Sequence, residues 1–197
     1  MLWAIPIGML AGAAIGGSLA NLARFRLRWA ALAVAGLLIQ LVLFTPLGDS
    51  VAGGAGPAIY VATTLAVFAT VLRNIRLAGM PIVALGALSN LAAITANGGS
   101  MPASAAALAT AGLEAESHTN SVVLANPALE PLTDIFALPA SLPLANVFSV
   151  GDVLIGVGLV IVVAAAMRRP AAAAGLAGGD GETGSEDEAD AGVEARA

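Results

Sequence analysis

Two aspartates, Asp134 and Asp152, are the groups most capable of chemistry in a largely apolar chain. Asp152 follows Val147-Phe148-Ser149-Val150-Gly151 and opens an apolar stretch, whereas Asp134 lies in a proline-broken segment upstream. Two carboxylates held close together cannot both ionise easily, so one keeps its proton while the other becomes a general base. If the chain brings them together, the pair could therefore act in general acid–base chemistry.

A second interpretation of the same residues is structural. Ser149 and Asp152 have the spacing of a capping box, with serine as N-cap and the aspartate in the first turn of the helix that follows. The positive end of the helix dipole also favours a carboxylate at that position. Both interpretations of Asp152 and Ser149 stay open at the level of sequence.

Three amide side chains, Gln40, Asn90 and Asn97, are candidate binding residues because they lie in or next to apolar runs. Asn90 and Asn97 share a helical face with small residues by the three-and-four spacing. Polar side chains at membrane depth usually face the interior of a helix bundle. Each amide could bond a neighbouring helix or line a ligand site.

Metal, cofactor and nucleic-acid chemistry find little support. The chain has 0 Cys and 1 His, and that histidine, His118, follows Glu114 and Glu116 in a polar loop that we do not expect to bind metal. All 8 basic residues are arginine, against 13 acids, which is the opposite of a basic nucleic-acid footprint. We expect no cofactor.

The elements that must position these groups are apolar helices. With 58% hydrophobic and 11% charged residues and a mean hydropathy of +0.91, the chain is unlike an ordinary water-soluble domain. Transmembrane helices need about 17–25 predominantly apolar residues. The sequence predicts an all-α integral membrane bundle of about five transmembrane helices over residues 1–169. The predicted spans are 2–20, 29–44, 58–72, 80–96 and 150–167.

Arginine placement predicts the orientation. Arginines occur after the first, third and fifth runs, whereas the acids before the tail follow the second and fourth runs or begin the fifth. The positive-inside rule then places the N-terminus outside and the C-terminus in the cytoplasm of a bacterial cell (inner) membrane. Residues 170–197 are rich in Ala, Gly, Asp and Glu, and we expect them to form a disordered acidic tail.

Small residues recur every fourth position in the first run, a pattern that favours close helix packing. They are Ala4, Gly8, Gly12, Gly16 and Ala20. The ridge could pack within the chain, or Gly8, Gly12 and Gly16 could form the contact of a homodimer.

The predicted outer segment, 97–148, is too long for an ordinary helix–helix connection. It opens with a predicted reversal at Asn97-Gly98-Gly99, and Ser104 is placed to cap a short alanine-rich helix. The stretch 124–144 is apolar but contains four prolines, so we expect it to be partly re-entrant and to fold back onto the outer face of the bundle.

Three motifs together resemble an uncharacterised bacterial membrane family, domain of unknown function 5317. They are Asn-Gly-Gly-x-Met-Pro at 97–102, Asp-Ile-Phe-Ala-Leu-Pro at 134–139 and Val-Phe-Ser-Val-Gly-Asp at 147–152. The resemblance covers most of residues 1–167 and implies a multi-pass location in a bacterial membrane, with no activity attached.

The stretch 148–152 also resembles the last motif of the lipoprotein signal peptidases, Phe-Asn-x-Ala-Asp, which enters their final helix from outside. That resemblance implies that Asp152 is one of two catalytic aspartates and that Asp134 stands near the other. The Asn-x-x-Asp-Arg motif of those enzymes is not matched around Thr133-Asp134-Ile135, which lacks both the asparagine and the arginine.

The leading functional hypothesis is a non-enzymatic binding or structural component of the cell envelope. Its outer segment would bind an envelope protein, a lipid or a small molecule, and the bilayer itself would be a partner. One alternative is an intramembrane aspartate-dependent hydrolase using Asp134 and Asp152. The other is a small dimeric transporter with a polar path through Gln40, Asn90 and Asn97.

Overall fold

Helices make up most of the computed structural model, which describes residues 3–113 and 121–168. His118, Glu114 and Glu116 lie outside the described residues, as does the acidic tail 170–197. The helices are α1 Ala4–Ala14, α2 Leu19–Ala23, α3 Ala30–Leu43, α4 Pro46–Ala52, α5 Gly56–Arg73, α6 Met80–Ala96, α7 Ala105–Ala111 and α8 Val150–Arg168.

Short strands correct the all-α prediction. They are β1 Met101–Pro102, β2 Ser121–Val122, β3 Phe136–Leu138 and β4 Asn146–Phe148. β1 pairs in parallel with β2, and β3 pairs antiparallel with β4. All four lie in the outer segment, where the prolines prevent a continuous helix and the backbone groups bond between neighbouring stretches instead.

α8 packs between α1 and α6, and α5 joins α6 to α3. Glycines allow the close approach of α6 and α8, because a Cβ added at Gly86 would meet the carbonyl oxygen of Gly151. On the other side of α8, a Cβ added at Gly8 would lie 2.9 Å from the Cβ of Val163. The central helix is therefore held on two faces by backbone-to-backbone packing.

The first apolar run forms two helices, which corrects the prediction of one helix over 2–20. α1 ends at Ala14, and Gly16 adopts a φ of +79° before Ser18 caps α2. Gly8 and Gly12 are buried and pack against α8 of the same chain. Two glycines of the predicted homodimer contact, Gly8 and Gly12, are therefore already packed within the chain. The third, Gly16, lies outside α1.

Two described helical stretches are long and apolar enough to cross a membrane, Pro46–Arg73 and Val150–Arg168. Three further apolar helices are shorter, Ala4–Ala14, Ala30–Leu43 and Met80–Ala96. The predicted five runs therefore all contain apolar helices, although only two of these stretches meet the length of a full span.

The loops that carry arginine meet at one end of the helices. The Asn74 side chain donates to the carbonyl of Arg28 at 2.8 Å, joining the loops that follow α2 and α5. The Asn21 side chain donates to the carbonyl of Met167 at 2.9 Å, next to the end of α8. The outer segment lies at the opposite end, where α8 begins.

Two local predictions for the outer segment are confirmed. Gly98 and Gly99 adopt φ values of +71° and +88°, as the predicted reversal requires. The Ser104 hydroxyl accepts a hydrogen bond from the Ala107 amide at 3.2 Å and caps α7.

Candidate functional site

Asp152 lies in the first turn of α8 and takes part in a capping box. Its backbone amide donates to the Ser149 hydroxyl at 3.1 Å, and one of its carboxylate oxygens accepts from the Ser149 amide at 3.1 Å. The predicted capping interaction is therefore present. It leaves the second carboxylate oxygen of Asp152 free for another partner.

Asn90 supplies that partner from α6. Its amide nitrogen donates to Asp152 Oδ1 at 2.9 Å, and its amide oxygen accepts from the fully buried Ser149 hydroxyl at 2.8 Å. Asn90 is thus hydrogen-bonded to both residues of the capping box, and the three side chains form one network between α6 and α8.

Asp134 is held by its backbone rather than by its side chain. Its amide donates to the Pro102 carbonyl at 2.9 Å, and its carbonyl accepts from the Ser104 amide at 3.0 Å. The side chain is only 5% exposed, and Oδ1 has no hydrogen-bond partner among the described residues. An unpaired polar atom at such a depth costs free energy, so its presence calls for an explanation.

The β3–β4 pair brings the two aspartates together. Phe136 is paired with Phe148, and their rings stack with centroids 5.6 Å apart. Phe136 and Phe148 lie close in sequence to Asp134 and Asp152, and the two aspartates line one cavity and interact electrostatically. The juxtaposition that the sequence left open is therefore produced by a short hairpin-like pairing.

Both aspartates face one cavity of about 640 Å³ between the outer segment, α1 and α8. Its polar lining residues are Asp134, Asp152 and Asn146. Its walls are mostly apolar and come from all three elements: Trp3, Ala4, Ile7, Leu138, Leu144, Val147, Phe148, Val153, Gly156, Val157 and Val160. A charged end and apolar walls are the features of a site for an amphipathic molecule.

Burial, and to a smaller extent the negative charge of Asp152, raises the pKa of Asp134 from 3.8 to about 7. Near neutral pH, Asp134 is therefore divided between its protonated and ionised forms. A protonated carboxyl and an ionised carboxylate in one cavity can donate and accept a proton, respectively.

Gln40 and Asn97 do not join this site. The Gln40 amide donates to the hydroxyls of Thr63 and Thr64 at 3.1 and 3.2 Å, between α3 and α5. The Asn97 side chain donates to the carbonyl and accepts from the amide of Ala128, both at 2.8 Å. Gln40 thus joins two helices, and Asn97 fixes the outer segment to the end of α6.

Several site residues carry no chemical signal in the sequence. Trp3, directly before α1, and Ile7 of α1 line the cavity, although α1 lies far from α8 along the chain. Asn146 lies beside the 147–152 motif and could have been included as its polar neighbour. The contribution of α1 follows from packing that no local pattern encodes.

The chain belongs to a family of unknown function (DUF5317), whose family profile matches residues 24–164. The match includes α6, the outer segment and most of α8, and therefore both aspartates, Asn90 and Ser149. No curated protein and no solved structure matched the chain. The resemblance predicted from the three motifs is confirmed, and the lipoprotein signal peptidase hypothesis gains no support from these comparisons.

Proposed function

We propose that this chain is a bacterial multi-pass membrane protein whose outer segment forms a ligand-binding cavity at the outer face. Five apolar helices and the meeting of the arginine loops at one end support five spans with the C-terminus in the cytoplasm. In this arrangement the shorter helices use flanking residues to reach the interfaces.

One observation carries the proposal: the outer segment folds back and places the buried, unpaired Asp134 beside Asp152 at the end of an apolar cavity. If the loop had only a structural role, an apolar side chain in place of this carboxylate would make the folded protein more stable. The chain instead keeps a buried carboxyl group at the cavity, and the charge of a bound molecule can offset part of its burial cost.

Blocking the cavity tests this function. Gly156 lines the cavity, and a Cβ added there would meet no atom within 4 Å, so Gly156→Leu should fill space without disturbing helix packing. We expect the wild-type protein, purified in a mild detergent, to retain a small molecule or lipid that mass spectrometry detects and that the variant loses. Identical compounds in both preparations would contradict the proposal.

A second candidate function is aspartate-dependent hydrolysis. The raised pKa of Asp134 beside Asp152 favours it, because one carboxyl can protonate a leaving group while the other accepts a proton from water. Asp134→Asn and Asp152→Asn should then each abolish turnover at unchanged protein level. The measurement is a comparison of membrane peptides and lipids from cells expressing each variant, and unchanged profiles would leave the cavity as a binding site.

A further inference from the structure

We infer that the cavity selects an amphipathic molecule with one apolar chain and a protonated amine head, the amine lying between Asp134 and Asp152. This inference rests on the proposed binding function and names its ligand class. It requires a head that donates several hydrogen bonds and a tail that fits between α1 and α8.

The positive charge of the ligand's head group is inferred from the two carboxylates. Asp134 lines the cavity, and its Oδ1 atom is buried without a partner among the described residues. Asp152 lines the same cavity, and the described side chains that bond its carboxylate, Asn90 and Ser149, are neutral. An ammonium group carries three donors and a positive charge, whereas a phosphate or carboxylate head would be repelled. The Arg168 side chain belongs to the other end of α8, about 24 Å away at 1.5 Å per residue.

The apolar chain of the ligand is inferred from the residues that line the cavity. Ile7 of α1 is 49% exposed and Val157 of α8 is 48% exposed, so the cavity opens onto the apolar outer surface of the bundle. A second, mostly apolar cavity of about 580 Å³, which shares Val160, continues between the same two helices past Ala164 to Arg168. From Asp152 to Ala164 the groove follows α8 for about 18 Å. An apolar chain can therefore enter sideways from the bilayer.

Binding of such an amine should depend on pH. Burial raises the pKa of Asp134 to about 7, and an ammonium group stays protonated well above that pH. Among the described residues, Asp152 is the charged group facing Asp134, since α1, α6, α7 and the strands carry no titratable side chain and Glu130 is exposed. Affinity should rise severalfold between pH 6 and pH 8, as Asp134 ionises and pairs with the amine.

Trp3 provides the measurement, because it lines the cavity and Trp29→Phe leaves it as the chain's single tryptophan. The full-length protein in non-ionic detergent is titrated with dodecylamine, dodecanol and dodecanoate carrying bromine on the chain, and quenching of Trp3 is recorded. We expect the amine to reach half-quenching at a concentration at least tenfold below that of the alcohol. Dodecanoate should bind most weakly.

Two variants separate the outcomes, with circular dichroism used to verify helical content. Asp134→Asn combined with Asp152→Asn should remove the advantage of the amine over the alcohol and leave alcohol binding intact. Gly156→Leu should weaken all three probes. Equal quenching by amine and alcohol in the wild type would overturn the ligand class alone, whereas indifference of every probe to Gly156→Leu would overturn the binding function itself.

Discussion

Asp134 and Asp152 are chemically identical but occupy different surroundings. Asp152 accepts bonds from Asn90 and Ser149, which suit an anion, while Asp134 is buried with an oxygen that has no partner among the described residues. A pair of acid–base groups requires two carboxyl groups in such different surroundings. A cation site can use the same arrangement. Ser149 and Asn90 serve the pair by fixing Asp152.

The first residue-scale prediction concerns pH. Because the pKa of Asp134 is raised in the folded protein to about 7, the folded state holds a proton that the unfolded chain releases near pH 4. Stability should therefore fall as pH rises between those values, by at most about 1.4 kcal/mol per pH unit. Asp134→Asn should flatten this slope and stabilise the protein above pH 7. Chemical denaturation in detergent at several pH values measures the free energy of unfolding of both proteins. The same dependence on pH in the wild type and in Asp134→Asn would contradict the prediction.

A second residue-scale prediction compares two serine caps. Ser104→Ala removes only the cap of α7 and should cost about 0.5–2 kcal/mol. Ser149→Ala removes the cap of α8 and also the bond to Asn90, so its cost should be larger. Unfolding free energies of the two variants test this order, and equal losses would show that the Asn90 bond contributes nothing measurable.

At the scale of elements, α8 is the member on which the site depends. It is packed against α1 through Gly8 and Gly12 and against α6 through Gly86, so its position is fixed on both faces. These contacts set the distance between α1 and α8, and therefore the width of the cavity between them.

A pair of glycines in α8 gives a matched test of this packing. A Cβ at Gly151 would collide with the Oδ1 atom of Asn90, whereas a Cβ at Gly156 would meet nothing within 4 Å. Gly151→Ala should lower stability and disturb the Asp152 network. Gly156→Ala should be neutral or slightly stabilising, since alanine favours helix over glycine by about 1 kcal/mol. Thermal unfolding in detergent gives the melting temperature of each variant. Equal melting temperatures would argue against close contact between α6 and α8.

At the scale of the whole molecule, loops are attached at both ends of the helices. Hydrogen bonds of Asn21 and Asn74 join the arginine-rich loops at one end. At the other end, Asn97 bonds Ala128, and Gly99 lies against Pro57. The outer segment is thereby attached to the helices at several points rather than only at its ends.

The absence of cysteine allows the fold of the outer segment to be tested in native membranes. Phe136→Cys with Phe148→Cys places thiols on paired residues of β3 and β4, so mild oxidation should form a disulfide. Phe136→Cys with Leu144→Cys is the control and should not cross-link. Failure of the first pair would show that the outer segment does not meet the start of α8.

Orientation is tested with single cysteines and a membrane-impermeant thiol reagent on intact cells. Glu130→Cys lies at an exposed position of the outer segment and should be labelled directly. Arg26→Cys, also exposed, should be labelled only after the membrane is permeabilised. The reverse pattern would invert the proposed topology.

The sequence by itself determined the apolar helices, the caps at Ser104 and Ser149, the glycine reversal after Asn97 and the family, because each depends on residues near one another in the chain. It also identified Asp134, Asp152 and Asn90 as candidates. It failed at Gly16, where a positive φ ends the small-residue pattern, and at the strands of the outer segment.

Only the tertiary structure decided that Asp134 meets Asp152, that Asn90 and Asp152 are bonded, and that Trp3 and Ile7 of α1 complete the cavity. These contacts join segments separated by many residues. They arise from strand register and helix packing, in which the side chains that meet are selected by the whole fold rather than by local pattern.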